Sequence, residues 1–99
     1  MPDVVSIHFA RGVDAEFYDR LDALVSPGGV PPEGLLFHSA GPTAEGGWRI
    51  VDLWESRSTF DRFLASSVIP AMMELVGEEA MKSAEQPTIE SWPAHNFHK

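Results

Sequence analysis

Apolar and polar side chains alternate from the start of the chain: Val5, Ile7 and Phe9 share one side of an extended segment, and Val4, Ser6 and His8 share the other. A two-residue period rich in β-branched side chains predicts a strand over 4–9. The period then lengthens. Phe17, Leu21, Leu24 and Val25 recur at helical spacing behind Asp14, whose short carboxylate suits the free amides of a helix start, so a helix is predicted over 14–25. Ser26, Pro27, Gly28 and Gly29 end it, because proline lacks an amide and glycine accepts a left-handed exit.

Leu35 to Ala40 is short, apolar and aromatic, and a turn rich in glycine and proline separates it from the run Trp48, Arg49, Ile50, Val51, Asp52, Leu53, Trp54. The two read as a hairpin. Ser56 or Ser58 can cap a following helix whose apolar side holds Phe60, Phe63 and Leu64 and, past an interruption at Pro70, Ile69, Met72 and Met73. One helix to about residue 66 and a second short one to 76 are expected, since proline is comfortable in a first turn. Gly77 and a polar run then lead to a last extended segment over 88–95, with Trp92 in its middle.

Strand, helix, strand, strand, helix, strand is the order of an α+β, ferredoxin-like βαββαβ fold with a four-stranded antiparallel sheet, here one domain over 1–99. Helices on one side of such a sheet leave its other face uncovered. In the third strand Ile50 and Trp54 oppose Val51 and Leu53, so both faces carry apolar groups, as in a sheet covered twice. A second copy is the economical cover, and the expected assembly is a homodimeric α/β barrel. A chain of 99 residues has a thin stability margin alone.

Seven basic residues against fifteen acidic ones give a formal charge of −8, which repels phosphate backbones and anionic lipid heads. The basic residues are also scattered, from Arg11 to Lys99, so neither nucleic acid nor a membrane is expected as a partner. The chain has no cysteine, which removes disulfides, thiolate nucleophiles and zinc–thiolate or iron–sulfur sites. No leader and no apolar stretch of about 20 residues is evident, and a cytoplasmic location is the expectation. No glycine-rich loop joins a strand to a helix, and no serine lies in a nucleophile elbow, so phosphate cofactors and covalent hydrolysis are unsupported.

The stretch Gly47-Trp48-Arg49-Ile50-Val51-Asp52-Leu53-Trp54-Glu55-Ser56, followed by Phe60 and Phe63, resembles the dimeric α/β-barrel superfamily that includes the antibiotic-biosynthesis monooxygenase family. The segment from Pro87 to Phe97 resembles its last strand. The resemblance implies a pocket between sheet and helices for a flat organic ligand, and oxidation of phenolic or polyketide-like compounds by oxygen without metal or flavin. A haem-degrading branch keeps a tryptophan that Trp54 matches, but its histidine position holds Leu64 and its first-strand asparagine falls at Val5. Haem degradation is therefore disfavoured, and no cofactor is expected.

If Trp54 faces the helices, so by the strand period do Asp52, Ile50 and Trp48, and a hairpin centred near Ala44 brings His38 and Leu36 to that face. His38 would then serve as acid/base and Asp52 as its orienting carboxylate. Trp54, Phe60, Phe63 and Trp92 would wall the substrate, with His95 at the pocket mouth. A plainer account also fits: Asp52 makes a structural hydrogen bond and His38 packs at a sheet edge, because a one-residue slip separates the pair. His95 and His98 are three apart and point oppositely in a strand, so no metal site is expected unless the tail bends. Two functions are compatible with these features, a small-molecule enzyme of monooxygenase, isomerase or cyclase type acting on an aromatic or polyketide-like compound, or a non-catalytic ligand-binding or structural homodimer.

Overall fold

The structure, a computed structural model, describes residues 2–97. Strand β1 is Asp3–Phe9, helix α1 Ala15–Val25, β2 Leu35–Pro42 and β3 Trp48–Trp54. Helices α2 (Arg57–Phe63) and α3 (Ile69–Ser83) then lead to β4, Thr88–Pro93. All neighbouring strands are antiparallel in the order β2-β3-β1-β4, which is the ferredoxin-like α+β arrangement expected from the element order. The starts of α1 and α2 are tied as their sequences suggest. Asp14 accepts from the Phe17 amide at 2.8 Å and Ser56 from the Thr59 amide at 3.2 Å. The carboxylate of Asp3 also accepts from the Arg57 amide at 2.8 Å, which fixes α2 to the first strand.

The register sorts the side chains into two faces. One carries Val5, Ile7, Ile50, Asp52, Trp54 and Ile89 toward the helices, and its core is Val5, Ile7, Trp54 and Phe60, with Trp54 wholly buried. The outer face carries the row Phe37, Leu53, Val4, Trp92 and next to it Ser39, Val51, Ser6, Glu90. Both faces of β3 are thus apolar, as its sequence predicts. On the outer one Leu53 is 4% exposed between Phe37 and Val4, while Phe37 and Trp92 are each 47% exposed.

Four features depart from the sequence-based expectation. The hairpin pairs His38 directly with Asp52 and Pro42 with Trp48, so it is centred on Glu45 instead of Ala44. A register shift between Leu35 and Phe37 leaves Leu36 as the extra residue, and Leu35, opposite Trp54, takes the inward place expected of Leu36. The helix does not break at Pro70. It widens into a π turn over Leu64–Val68, where the Ile69 amide donates to the Leu64 carbonyl, so the chain passes the missing proline amide without stopping. One inserted residue rotates everything beyond by about 100°, which turns Met72 inward and leaves Ile69 and Met73 exposed. Gly77 (φ 84°) interrupts α3, yet the polar run beyond it is helical to Ser83, supported by a Glu78–Lys82 pair at 3.2 Å.

Candidate active site

Between the sheet and the helices lies a cavity of about 310 Å³, near the lower end of the usual small-molecule range of roughly 300–1,000 Å³. Its floor is the inner sheet face, with Ile7, Ile50, Trp54 and Ile89. Phe17 and Leu21 of α1 and Phe60, Phe63 and Met72 of the later helices form the opposite wall. The connection after α1 closes one side with Pro31 and Pro32. Apart from Ser26, the polar groups that border it are Tyr18, Asp22, His38 and Asp52.

Three of those four form a chain. Asp52, 6% exposed, projects inward from β3, and its Oδ1 lies 2.6 Å from Nδ1 of the facing His38. Its Oδ2 accepts from the Trp54 indole N–H at 3.1 Å. A carboxylate only accepts, so Nδ1 of His38 carries a proton and the neutral ring has its lone pair on Nε2. That nitrogen is 2.6 Å from the Tyr18 hydroxyl, which reaches it from α1. The Tyr18 ring lies nearly parallel to the imidazole, 12° between planes and end-to-end with it through the hydroxyl, and sits 5.2 Å from the Trp48 ring.

This geometry sets the electrostatics. The hydrogen bond to Asp52 raises the pKa of His38 above the ordinary 6.5; burial opposes the shift, and the charges of Asp52 and Asp22 add to it. Burial, followed by the charges of Asp22, Asp52 and Asp19, pushes the Tyr18 phenol up to about 12. At neutral pH the phenol therefore keeps its proton. A histidine held by a carboxylate in an apolar cleft is the arrangement of an oriented general base.

Of the seven residues that the sequence pattern selects, five meet here: His38 and Asp52 in contact, with Trp54, Phe60 and Phe63 around the same space. Trp92 and His95 do not. Trp92 pairs with Val4 and so points to the outer face, and β4 ends at Pro93, which leaves His95 in an exposed bend. Tyr18 is the residue that sequence reasoning missed. It lies three and seven positions before Leu21 and Val25 on the inward stripe of α1, and as the sole tyrosine of the chain it carried the signal. Leu24, assigned to that stripe by spacing, is exposed instead. Among the described residues no three His, Cys, Asp or Glu side chains gather as metal ligands, and no helix is long and apolar enough to cross a membrane. His98 lies outside the described residues.

The fold is that of the antibiotic-biosynthesis monooxygenase-like proteins. The cofactor-independent oxygenase SnoaB from Streptomyces nogalater superposes with a TM-score of 0.60 at 17% identity, over 97% of this chain and 94% of that one. Rv0793 from Mycobacterium tuberculosis matches over the full length of both chains (TM-score 0.65, 16% identity). A protein from Deinococcus radiodurans designated a candidate antibiotic biosynthesis monooxygenase matches over 100% of this chain and 97% of its own (TM-score 0.62, 16% identity). No family model and no curated protein matches the sequence. At such identities the likeness is one of fold, and function has to be argued from the site.

Proposed function

We propose that the chain is a small-molecule enzyme of the cofactor-independent monooxygenase type, acting on a planar aromatic or polyketide-like compound. The observation that carries this reading is the 2.6 Å contact of Asp52 with His38 at the edge of a mainly apolar cavity. His38 takes a proton from an acidic O–H or C–H of the substrate, and Asp52 orients the ring and stabilises the imidazolium. Phe63 and Phe17 supply aromatic wall for a flat ring, backed by the buried Trp54 and Phe60. The resulting anion is the electron source for dioxygen: a ring CH₂ and O₂ become C=O and water, with the substrate as sole reductant. Isomerisation or cyclisation would begin with the same deprotonation.

The reading includes a homodimer, supported by the outer row in which Phe37 and Trp92 are half exposed beside Leu53. The test is oxygen uptake with a panel of phenolic and polyketide-like aromatics. His38→Ala is expected to lower the turnover of an accepted substrate by about 10²–10⁴-fold. Unchanged turnover in that variant removes His38 as the base.

A further inference from the structure

We infer that Tyr18 is the group a ligand's hydroxyl meets in this cavity, that it relays the ligand's proton to His38, and that it restricts the site to uncharged phenols or enols. The inference rests on the reading of His38 as the base and names the route by which a substrate reaches it. Nδ1 of the imidazole is taken by Asp52 and Nε2 by the Tyr18 hydroxyl, each at 2.6 Å. A ligand therefore addresses the ring through the phenol or by displacing it. Displacement is resisted, because the tyrosine ring packs against Trp48 at 5.2 Å while its hydroxyl holds Nε2 at 2.6 Å.

The proton movements balance. The ligand O–H bond breaks as its proton bonds to the Tyr18 oxygen, while the Tyr18 O–H bond breaks and that proton bonds to Nε2. Tyrosine ends as it began, the ligand is an oxyanion and His38 an imidazolium paired with Asp52; no electrons change hands. Tyr18 starts this step protonated at neutral pH.

Charge selects the ligand. The carboxylates of Asp22 and Asp52 both border the cavity, and among its described lining residues there is no lysine or arginine. A carboxylate ligand would enter against two like charges with His38 alone to offset them. A neutral hydroxyl that donates to Tyr18 meets no such opposition.

Calorimetric titration with 2-naphthol, 2-methoxynaphthalene and 2-naphthoate tests this on the wild-type chain and on Tyr18→Phe. Wild type is expected to bind the naphthol about tenfold or more tightly than the ether or the carboxylate, the worth of one good hydrogen bond. In Tyr18→Phe the preference for naphthol over ether is expected to fall toward one, because the ligand oxygen then stops a hydrogen-bond length short of Nε2. Equal affinities for all three in wild type, or an undiminished preference in Tyr18→Phe, overturn the inference while leaving the cavity as an aromatic site. Failure of wild type to bind any of the three overturns the underlying reading as well. Should Tyr18→Phe not fold, NMR of the wild-type chain decides: bound 2-naphthol is expected to shift the Tyr18 ring-carbon resonance next to the hydroxyl and to move the His38 nitrogens toward the imidazolium, and an unchanged Tyr18 resonance overturns the inference.

Discussion

Replacing Asp52 with asparagine changes one atom's chemistry and almost no volume, and the hydrogen bonds around that side chain determine the outcome. Two N–H groups point at the carboxylate, His38 Nδ1 at 2.6 Å and Trp54 Nε1 at 3.1 Å. An amide can accept from only one of them at its oxygen, and the indole has no other protonation state, so the oxygen stays with Trp54. The amide nitrogen then faces Nδ1. His38 answers by giving up the Nδ1 proton and carrying it on Nε2, where it donates to Tyr18 and is no longer a base toward the cavity. A hydrogen bond to a charged group is worth about 1.5–3 kcal/mol, so its loss alone predicts a fall of roughly 10- to 100-fold in kcat/KM. The tautomer switch adds to that loss. The same substitution removes the largest cause of the raised His38 pKa and leaves burial to oppose it. A proton and nitrogen NMR titration of the imidazole should therefore show His38 above 6.5 in wild type, moving down in Asp52→Asn. An identical midpoint and an identical tautomer in both proteins would mean that Asp52 does not set the state of His38.

The same geometry leads to other outcomes. Because the folded pKa of His38 lies above its unfolded value near 6.5, the charged pair contributes stability in full below that value and loses it as pH rises through the folded one. The gap in denaturation free energy between wild type and Asp52→Asn should thus narrow as pH rises above 6.5. Catalysis runs the other way, since the neutral imidazole is the base, and kcat/KM should rise with pH through a midpoint above 6.5. In the proposed homodimer Trp92→Asp, on the outer face, should yield monomers in light scattering yet leave 2-naphthol affinity within about twofold. Trp54→Ala should cost about 3–5 kcal/mol in chemical denaturation, as a wholly buried ring packed on Phe60 and Phe63 is lost.

Local periodicity made much of this legible. The alternation of β3 put Asp52 and Trp54 on one face, and a turn centred one residue away from the true centre still kept His38 on that face, so a shared cavity was legible from spacing while the direct pairing was not. What spacing could not reveal was insertion. The bulge at Leu36 reverses the strand's parity beyond it, and the π turn rotates α3, which is why Leu35 and Met72 line the cavity while Leu36 and Met73 do not. Trp92 was misplaced for a related reason. Its face depends on which β1 residue it pairs with, and a long-range pairing with Val4 leaves no trace in the local sequence. Tyr18 was overlooked because helical spacing marks it only as a wall residue. Its role emerges when α1 is laid across the sheet and its hydroxyl meets His38.

The proposed chemistry requires a cavity in which the Tyr18–His38–Asp52 chain faces a flat ligand. A crystal structure of the protein with 2-naphthol tests this most directly. The ring should lie between the sheet and the helices, with its oxygen about 3 Å from the Tyr18 hydroxyl. A ring seated on the outer sheet face, or a cavity that excludes it, would show that the chain of three residues does not serve a ligand.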